Sequence, residues 1–170
     1  MKDLKAFDKM LGKMQANVGS DQYIGEAGAF VQGAAKLKCS GFLFTNGELR
    51  GSIGLEVTES LTGKTAHVGT NKQYAIYVEM GTGPKGEANH TGTSPNIHPV
   101  YTQEPWWIHE SQVDPRAAAV YNWFHIDTPN GRFYKVSGQP AHPYLYPAIH
   151  DNEKEIVDIL NKGIEDAMEG

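Results

Sequence analysis

The stretch Tyr74-Ala75-Ile76-Tyr77-Val78-Glu79-Met80-Gly81-Thr82 is the most informative part of this chain for its expected fold. Tyr74 and Tyr77 are three residues apart, which is the spacing of one helical face and predicts a short helix. Gly81 supplies its end, because glycine accepts the backbone conformations that follow a helix. A single Glu79 after a tyrosine-rich turn is typical of a capping or salt-bridging group. The stretch therefore predicts a structural element and not a catalytic device.

The segments before this stretch predict two helices. Apolar residues three and four positions apart indicate one helix over residues 4–18 and another that begins at Ser20 or Asp21. The side of the second helix that we expect to be buried carries Ile24, Ala27, Val31, Ala34 and Leu37. Close helix packing or a frayed segment is indicated by its glycines, Gly25, Gly28 and Gly33.

Strand and closing-helix patterns follow. Apolar residues alternate over 53–57 and 65–70, which predicts two half-buried strands, and Thr62-Gly63 between them predicts a turn. Together these elements are expected to form an antiparallel hairpin. Near the end of the chain, Pro147 can open a closing helix, because proline suits a first helical turn. The apolar face expected for that helix consists of Ile149, Ile156, Val157, Leu160 and Ile164.

Residues 83–138 differ from the rest of the chain. They are rich in Pro, Asn, Thr and His up to about residue 105 and in aromatic residues after it. Residues 81–86 lack the phosphate-binding glycine pattern and predict a turn, whereas Asn130-Gly131 predicts a local hairpin. We interpret 83–138 as a long aromatic-rich loop and hairpin insertion, flexible at its tip, within a single domain over residues 1–170. The fold class expected is α+β, with a small antiparallel sheet packed by the N-terminal and C-terminal helices.

The aromatic residues of the insertion are its most informative feature. Large exposed aromatic side chains are costly unless the domain's own core or a partner covers them, and Trp and Tyr are enriched at binding hot spots. Two interpretations therefore stay open for them: they cover the domain's own sheet, or they form a protein–protein interface.

Charge and cysteine content exclude some classes of protein. The formal net charge of -5 argues against a chain whose main task is to grip a phosphate backbone. A single cysteine, Cys39, fits a reducing compartment, and we expect a partly buried side chain there in preference to a catalytic thiol. The charged start of the chain lacks a signal peptide, and no apolar run approaches the ~20 residues that span a bilayer. We expect a protein made in the cytoplasm, with no membrane segment.

A metal site is the main catalytic alternative. His90, His98, His109 and His125 lie in the insertion, but they are separated by eight, eleven and sixteen positions. Zinc ligands usually come in pairs at short fixed spacings, which these gaps do not match. We expect no metal, no cofactor and no catalytic residue, and we keep a small metal-dependent hydrolase as the alternative function.

Three short motifs follow one another along the chain. Their residues are Gly47, Leu49, Arg50, Ser52 and Ile53, then the stretch 74–82, then Pro143, Tyr144, Leu145, Pro147 and Ala148. In this order they resemble the head–tail joining proteins of long-tailed phages, the family typified by gene product ten of phage HK97, and residues 131–140 resemble an insertion of one family branch. The chain departs from the family pattern in two places: it reads Thr45-Asn46-Gly47 where the family usually has Asp-Thr-Gly, and it has Tyr144 where the family usually has Phe.

The resemblance implies a structural protein of the virion, in the phage neck or upper tail: a tail completion protein, a tail terminator or a head–tail connector component. Such proteins act as rings, commonly of six copies. The partners implied are further copies of the chain, the head-closure or connector proteins and the tail tube proteins, with DNA passing through the lumen without specific binding. The interface candidates are Arg50, Tyr74, Tyr77, Glu79, Trp106, Trp107, Trp123, Phe124 and Tyr134.

Overall fold

The computed structural model describes residues 21–39, 47–60, 63–120 and 122–169. The helix expected over residues 4–18 lies outside these ranges, and so does Thr62 of the expected hairpin turn. The elements, in chain order, are α1 (Asp21–Lys38), α2 (Glu48–Ser52), β1 (Gly54–Ser60), β2 (Gly63–Gly69), α3 (Ala75–Met80), α4 (Gly83–Ala88), β3 (Trp106–His109), a 3-10 turn (Glu110–Gln112), α5 (Pro115–Val120), β4 (His125–Thr128), β5 (Gly131–Val136), α6 (Tyr146–His150) and α7 (Glu153–Glu169).

The strands form two small antiparallel sheets. One is the hairpin of β1 and β2, and the other has the strand order β3-β5-β4. Helix α1 packs on the β1–β2 hairpin and also contacts α6 and α7 at the C-terminal end of the chain. The expected α+β class, with small antiparallel sheets flanked by N-terminal and C-terminal helices, is confirmed. Within the described ranges, none of the helices has the length and apolar character that crossing a membrane requires.

One expectation for residues 83–138 is wrong and another is not confirmed. Residues 83–88 form helix α4 and not a turn, because Pro84 suits a first helical turn and the Gly86 N–H donates to the Thr82 carbonyl at 3.0 Å. Of the described aromatic residues beyond 105, Trp106 and Trp107 lie on β3 and Phe133 and Tyr134 lie on β5, so the expected long aromatic-rich loop is not confirmed. The hairpin predicted at Asn130-Gly131 is confirmed, because Thr128 pairs with Gly131 at its turn.

The core lies where α1, α3 and α6 meet. Tyr144 is fully buried there, and burial raises the pKa of its phenol. Each large apolar side chain buried in such a core stabilises the fold by about 1.5–3 kcal/mol. The core cluster consists of Val31, Ala35, Cys39, Leu49, Ile53, Ala75, Tyr144 and Ala148.

The buried faces of the helices are narrower than the sequence predicts. On the closing helices, Ile156 packs against the core, whereas Ile149 and Val157 are 52% and 51% exposed. On α1, Leu37 is also exposed, although Val31 and Ala35 of the same helix are buried. Each helix has only one packed side, so the apolar residues at the edges of its stripe remain in contact with solvent.

The glycines of α1 have two different roles. A Cβ on Gly28 would lie 2.5 Å from Leu55 Cδ1 and 2.9 Å from the Cβ of Ala66, so this glycine lets the helix approach the β1–β2 hairpin closely. At Gly25 and Gly33 a Cβ would meet nothing within 4 Å. Close packing is therefore confirmed for one of the three glycines and excluded for the other two.

Glu79 joins the middle of the chain to its C-terminal helices. It is 7% exposed, and its Oε2 accepts hydrogen bonds from the backbone N–H groups of Tyr144 at 2.7 Å and Leu145 at 3.0 Å. Its Oε1 accepts a third, from the Tyr146 N–H at 2.9 Å. These donors lie at the start of α6, where helix N–H groups lack intrahelical partners. The expected capping role of Glu79 is confirmed.

The backbone around Gly81 reinforces this connection. Thr82 and Gln139 form an antiparallel bridge with N–H···O distances of 2.9 and 3.0 Å, and the His142 N–H donates to the Val78 carbonyl at 2.8 Å. Gly81 has φ = 75°, and a Cβ there would lie 2.7 Å from the backbone nitrogen of Ala141. Glycine is therefore required where α3 ends, because the backbone conformation is left-handed and another chain segment is in contact.

Replacing Glu79 with Gln tests the importance of this carboxylate. Whichever way the amide is oriented, its NH₂ group faces at least one of the three backbone donors, so we expect Glu79→Gln to lower the free energy of unfolding by about 2–4 kcal/mol. Urea denaturation followed by circular dichroism measures the change. The matched control is Glu104→Gln at an exposed position, for which we expect a change within about 0.5 kcal/mol. Equal stabilities of the two variants would contradict the capping role.

Two alanine substitutions on one helix test the close packing of α1. We expect Gly33→Ala to raise the free energy of unfolding by up to about 1 kcal/mol, because the site is open and alanine is the better helix former. Gly28→Ala gains the same propensity but must displace Leu55 and Ala66, so we expect a net loss of about 1–3 kcal/mol. The measurement is thermal or urea unfolding of both variants. The same sign of change in both would show that the helix does not approach the hairpin as described.

Candidate docking surface

The three-stranded sheet sorts its side chains onto two faces. Residues that lie opposite each other in antiparallel strands project from the same face. Trp107 of β3 is paired with Lys135 of β5, whose N–H donates to the Phe124 carbonyl at 2.8 Å just before β4. Two residues farther along, Ile126 of β4 is paired with Phe133 of β5. These five residues therefore project from one side of the sheet.

This side of the sheet is exposed. Trp107 and Phe124 are 43% and 65% exposed, and their ring centroids lie 6.0 Å apart. Ile126 is also exposed, and so is Lys135. Lys135 lies on the central strand β5, with Trp107 beside it on one side and Phe124 on the other. We call Trp107, Phe124, Ile126 and Lys135 the aromatic face. A contiguous apolar patch that the subunit does not cover is typical of an interaction site.

The opposite side of the sheet serves the fold. Tyr134 is half-buried, with ring centroids 6.2 Å from Trp123 and 5.8 Å from His125. Trp106 is also half-buried, and its ring lies 3.1 Å from the position that a Cβ on Gly83 would occupy. The two interpretations of the aromatic residues therefore apply to different residues. Trp107 and Phe124 form an exposed surface, and Trp106, Trp123 and Tyr134 cover the domain's own sheet.

The charges of this sheet are compensated, with one exception. Arg132 binds Asp127 at 2.7 Å, and its guanidinium lowers the pKa of that carboxyl. No carboxylate of the described residues forms a salt bridge with Lys135. The aromatic face therefore presents one positive charge that the described part of the subunit does not pair.

The remaining interface candidates lie elsewhere. Arg50 is exposed on α2, and Tyr77 is exposed on α3. Tyr74 is half-buried at the start of α3 and packs against the core. Glu79 is buried and its carboxylate binds backbone groups of the same chain, so its assignment as an interface contact is corrected. None of these four residues is on the three-stranded sheet.

The histidines of the insertion do not converge. By the strand register, His109 projects on the same side as Ile126, and His125 projects on the opposite side with Tyr134. His90 and His98 line an open pocket of about 410 Å³ elsewhere. Within the described ranges, no group of three or more His, Cys, Asp or Glu side chains is placed to hold a metal ion. The metal-dependent alternative therefore gains no support from the geometry.

Cys39 is part of the core. Its side chain is 3% exposed, and burial, helped by the negative charge of Glu79, raises the pKa of the thiol to about 11. A nucleophilic cysteine needs the opposite, a lowered pKa and access to solvent. The side chain expected to be partly buried is thus almost completely buried.

Sequence reasoning missed two residues of the aromatic face, Ile126 and Lys135. The alternation of the predicted hairpin carried the signal for both, because residues two positions apart on a strand share a side. Ile126 is two positions from Phe124, and Lys135 is two positions from Phe133. What the sequence lacked was the register between β3 and β5, which places Trp107 beside Lys135.

Comparisons of the chain with protein-family models, with curated proteins and with solved structures found no match. The aromatic face and the three sequence motifs are therefore the two features of the chain that bear on its function.

The reactivity of the Cys39 thiol tests whether the core around this residue is closed to solvent. Because the pKa is about 11 and an ordinary cysteine has 9.0, the thiolate fraction at pH 8 is about 100-fold lower than in an unfolded chain. We expect iodoacetamide to label the native protein at least that much more slowly than the protein in guanidinium, and native labelling to accelerate as pH rises toward 11. Mass spectrometry of timed samples measures both rates. Native labelling within tenfold of the unfolded rate would contradict the burial.

Proposed function

We propose that this protein is a structural subunit of the phage neck or upper tail, which joins the tail to the head by assembling into a ring. The observation that carries the proposal is the aromatic face, an exposed apolar surface of the subunit that needs a partner. The three motifs shared with head–tail joining proteins support the same function. The subunit would be a tail completion protein, a tail terminator or a connector component, located in the virion.

The fold provides a firm base for such a docking element. Residues 83–138 begin and end at the Thr82–Gln139 bridge, and Glu79 attaches the same region to the start of α6. A surface on a rigid base loses little conformational entropy when it binds, which favours affinity. This attachment to the core supports residues 83–138 as the docking element toward neighbouring proteins of the neck.

Assembly needs no chemistry in this proposal. A heterologous contact repeated around an axis closes a ring when its rotation divides the circle, and six copies is the number that the family resemblance implies. The ring would dock to head-closure or connector proteins on one side and to tail tube proteins on the other. DNA would pass through its lumen without specific binding, which an acidic subunit favours because like charges do not adhere.

Deleting the gene from a phage that carries it tests this function. We expect electron microscopy of the lysate to show DNA-filled heads beside separate tails, because the joint is missing. Overlong tails would identify a terminator, and tails of normal length a joining protein. Supplying the wild-type gene in trans is the control and should restore joined particles.

A second outcome would refute the proposal. If the deletion phage yields normal infectious particles, the protein is not part of the joint, and metal analysis of the purified protein with and without chelator becomes the next measurement.

A further inference from the structure

A second exposed surface lies on the C-terminal helices. Ile149 of α6 and Val157 of α7 are 52% and 51% exposed, and Glu153 stands midway between them in the sequence. A turn at residues 151–152 separates Ile149 from α7, within which Glu153 and Val157 are four positions apart and therefore share a side. We call Ile149, Glu153 and Val157 the acidic helix face.

This surface is the electrostatic complement of the aromatic face. Residues 146–169 contain seven carboxylates and two lysines, so their net charge of -5 equals that of the whole chain. Glu153 has a side chain that is 68% exposed and binds only His150, at 3.1 Å, among the described residues. An exposed pair of this kind contributes little to stability, so the carboxylate is available to a stronger partner. The aromatic face offers the opposite charge, Lys135, beside apolar rings.

The two surfaces also have compatible dimensions. Within α7, Glu153 and Val157 are separated by about 6 Å, because four residues each rise 1.5 Å. Neighbouring strands of the sheet, here β5 with β3 or β4, lie about 5 Å apart. Helix α7 laid across the strands would thus place Glu153 near Lys135 on the central strand and Val157 over an aromatic ring beside an outer strand.

We propose that the aromatic face of one copy docks on the acidic helix face of the next copy, with Lys135 beside Glu153. Both surfaces are exposed in the same subunit, so neither covers the other within one chain, and a second copy can cover both. A contact between two different surfaces is heterologous, and its repetition gives the closed ring on which the proposed function depends. The inference therefore rests on that function and supplies its subunit contact.

A charge swap tests this contact. The concentration at which half of the purified full chain is assembled is measured by sedimentation velocity over a dilution series. We expect Lys135→Glu and Glu153→Lys each to raise that concentration by roughly tenfold or more, because each variant places like charges together at a desolvated contact. The double variant restores the opposite charges in reversed order and should return to within about threefold of the wild type.

Matched controls separate the contact from general charge effects. Lys85→Glu and Glu104→Lys make the same changes of charge at exposed positions outside both faces, and neither should alter assembly. Circular dichroism of every variant verifies that the subunit remains folded.

Three results would overturn the contact. The first is a wild-type protein that stays monomeric up to 100-micromolar-scale concentrations, which is roughly the upper range of specific weak association. The second is normal assembly of the single variants, and the third is a double variant whose assembly defect is the sum of the two single-variant defects. The function is judged separately, by the deletion phage. If deletion separates heads from tails but the Lys135→Glu gene restores joined particles, the neck function stands and this contact is wrong. If the deletion phage is infectious, the neck function fails whatever the sedimentation shows.

Discussion

Three backbone N–H groups converge on one buried carboxylate, and the arrangement of the rest of the subunit depends on this interaction. Glu79 is held by α3 and receives its donors from Tyr144, Leu145 and Tyr146, which lie 65 to 67 positions away along the chain. A buried carboxylate is stable only when its lone pairs are satisfied, so the position of α6 is fixed relative to α3. Helix α7 follows α6 directly, and its packing on α1 completes the core.

This interaction also explains why two of the motifs occur together. The second motif supplies the acceptor, Glu79, and the glycine that lets the chain turn sharply beside Ala141. The third supplies the donors and Pro147, which has no N–H to satisfy at the start of a helix. A change in either motif alone would leave unpaired groups in the core, and the cost of burying such groups is high. The residues of both motifs therefore serve the architecture, and the functional surface has to be sought elsewhere.

The parts of the fold that the sequence predicts are those set by local periodicity. Helix α1, the β1–β2 pair, α3 and the β4–β5 hairpin each show a clear repeat or turn signal over their own residues. Strand β3 has four residues beside Pro105, and α4 is rich in glycine, so neither shows a repeat long enough to identify. The carboxylate cap, the Thr82–Gln139 bridge and the pairing of β3 with β5 join distant segments, and no local pattern encodes them.

The docking surface shows the same division between local and long-range information. Composition identified the aromatic residues as unusual. Adjacent residues of a strand point to opposite sides, however, so Trp106 and Trp107 cannot both lie on the same face of the sheet. Only the sheet register shows which of them is exposed. On the closing helices the sequence predicted a wider apolar stripe than the one that packs within the chain. Ile149 and Val157 belong to the predicted stripe but remain exposed. Apolar residues beyond the width of a helix's own contact can serve a second contact, and the contact proposed between neighbouring copies would cover them together with the aromatic face.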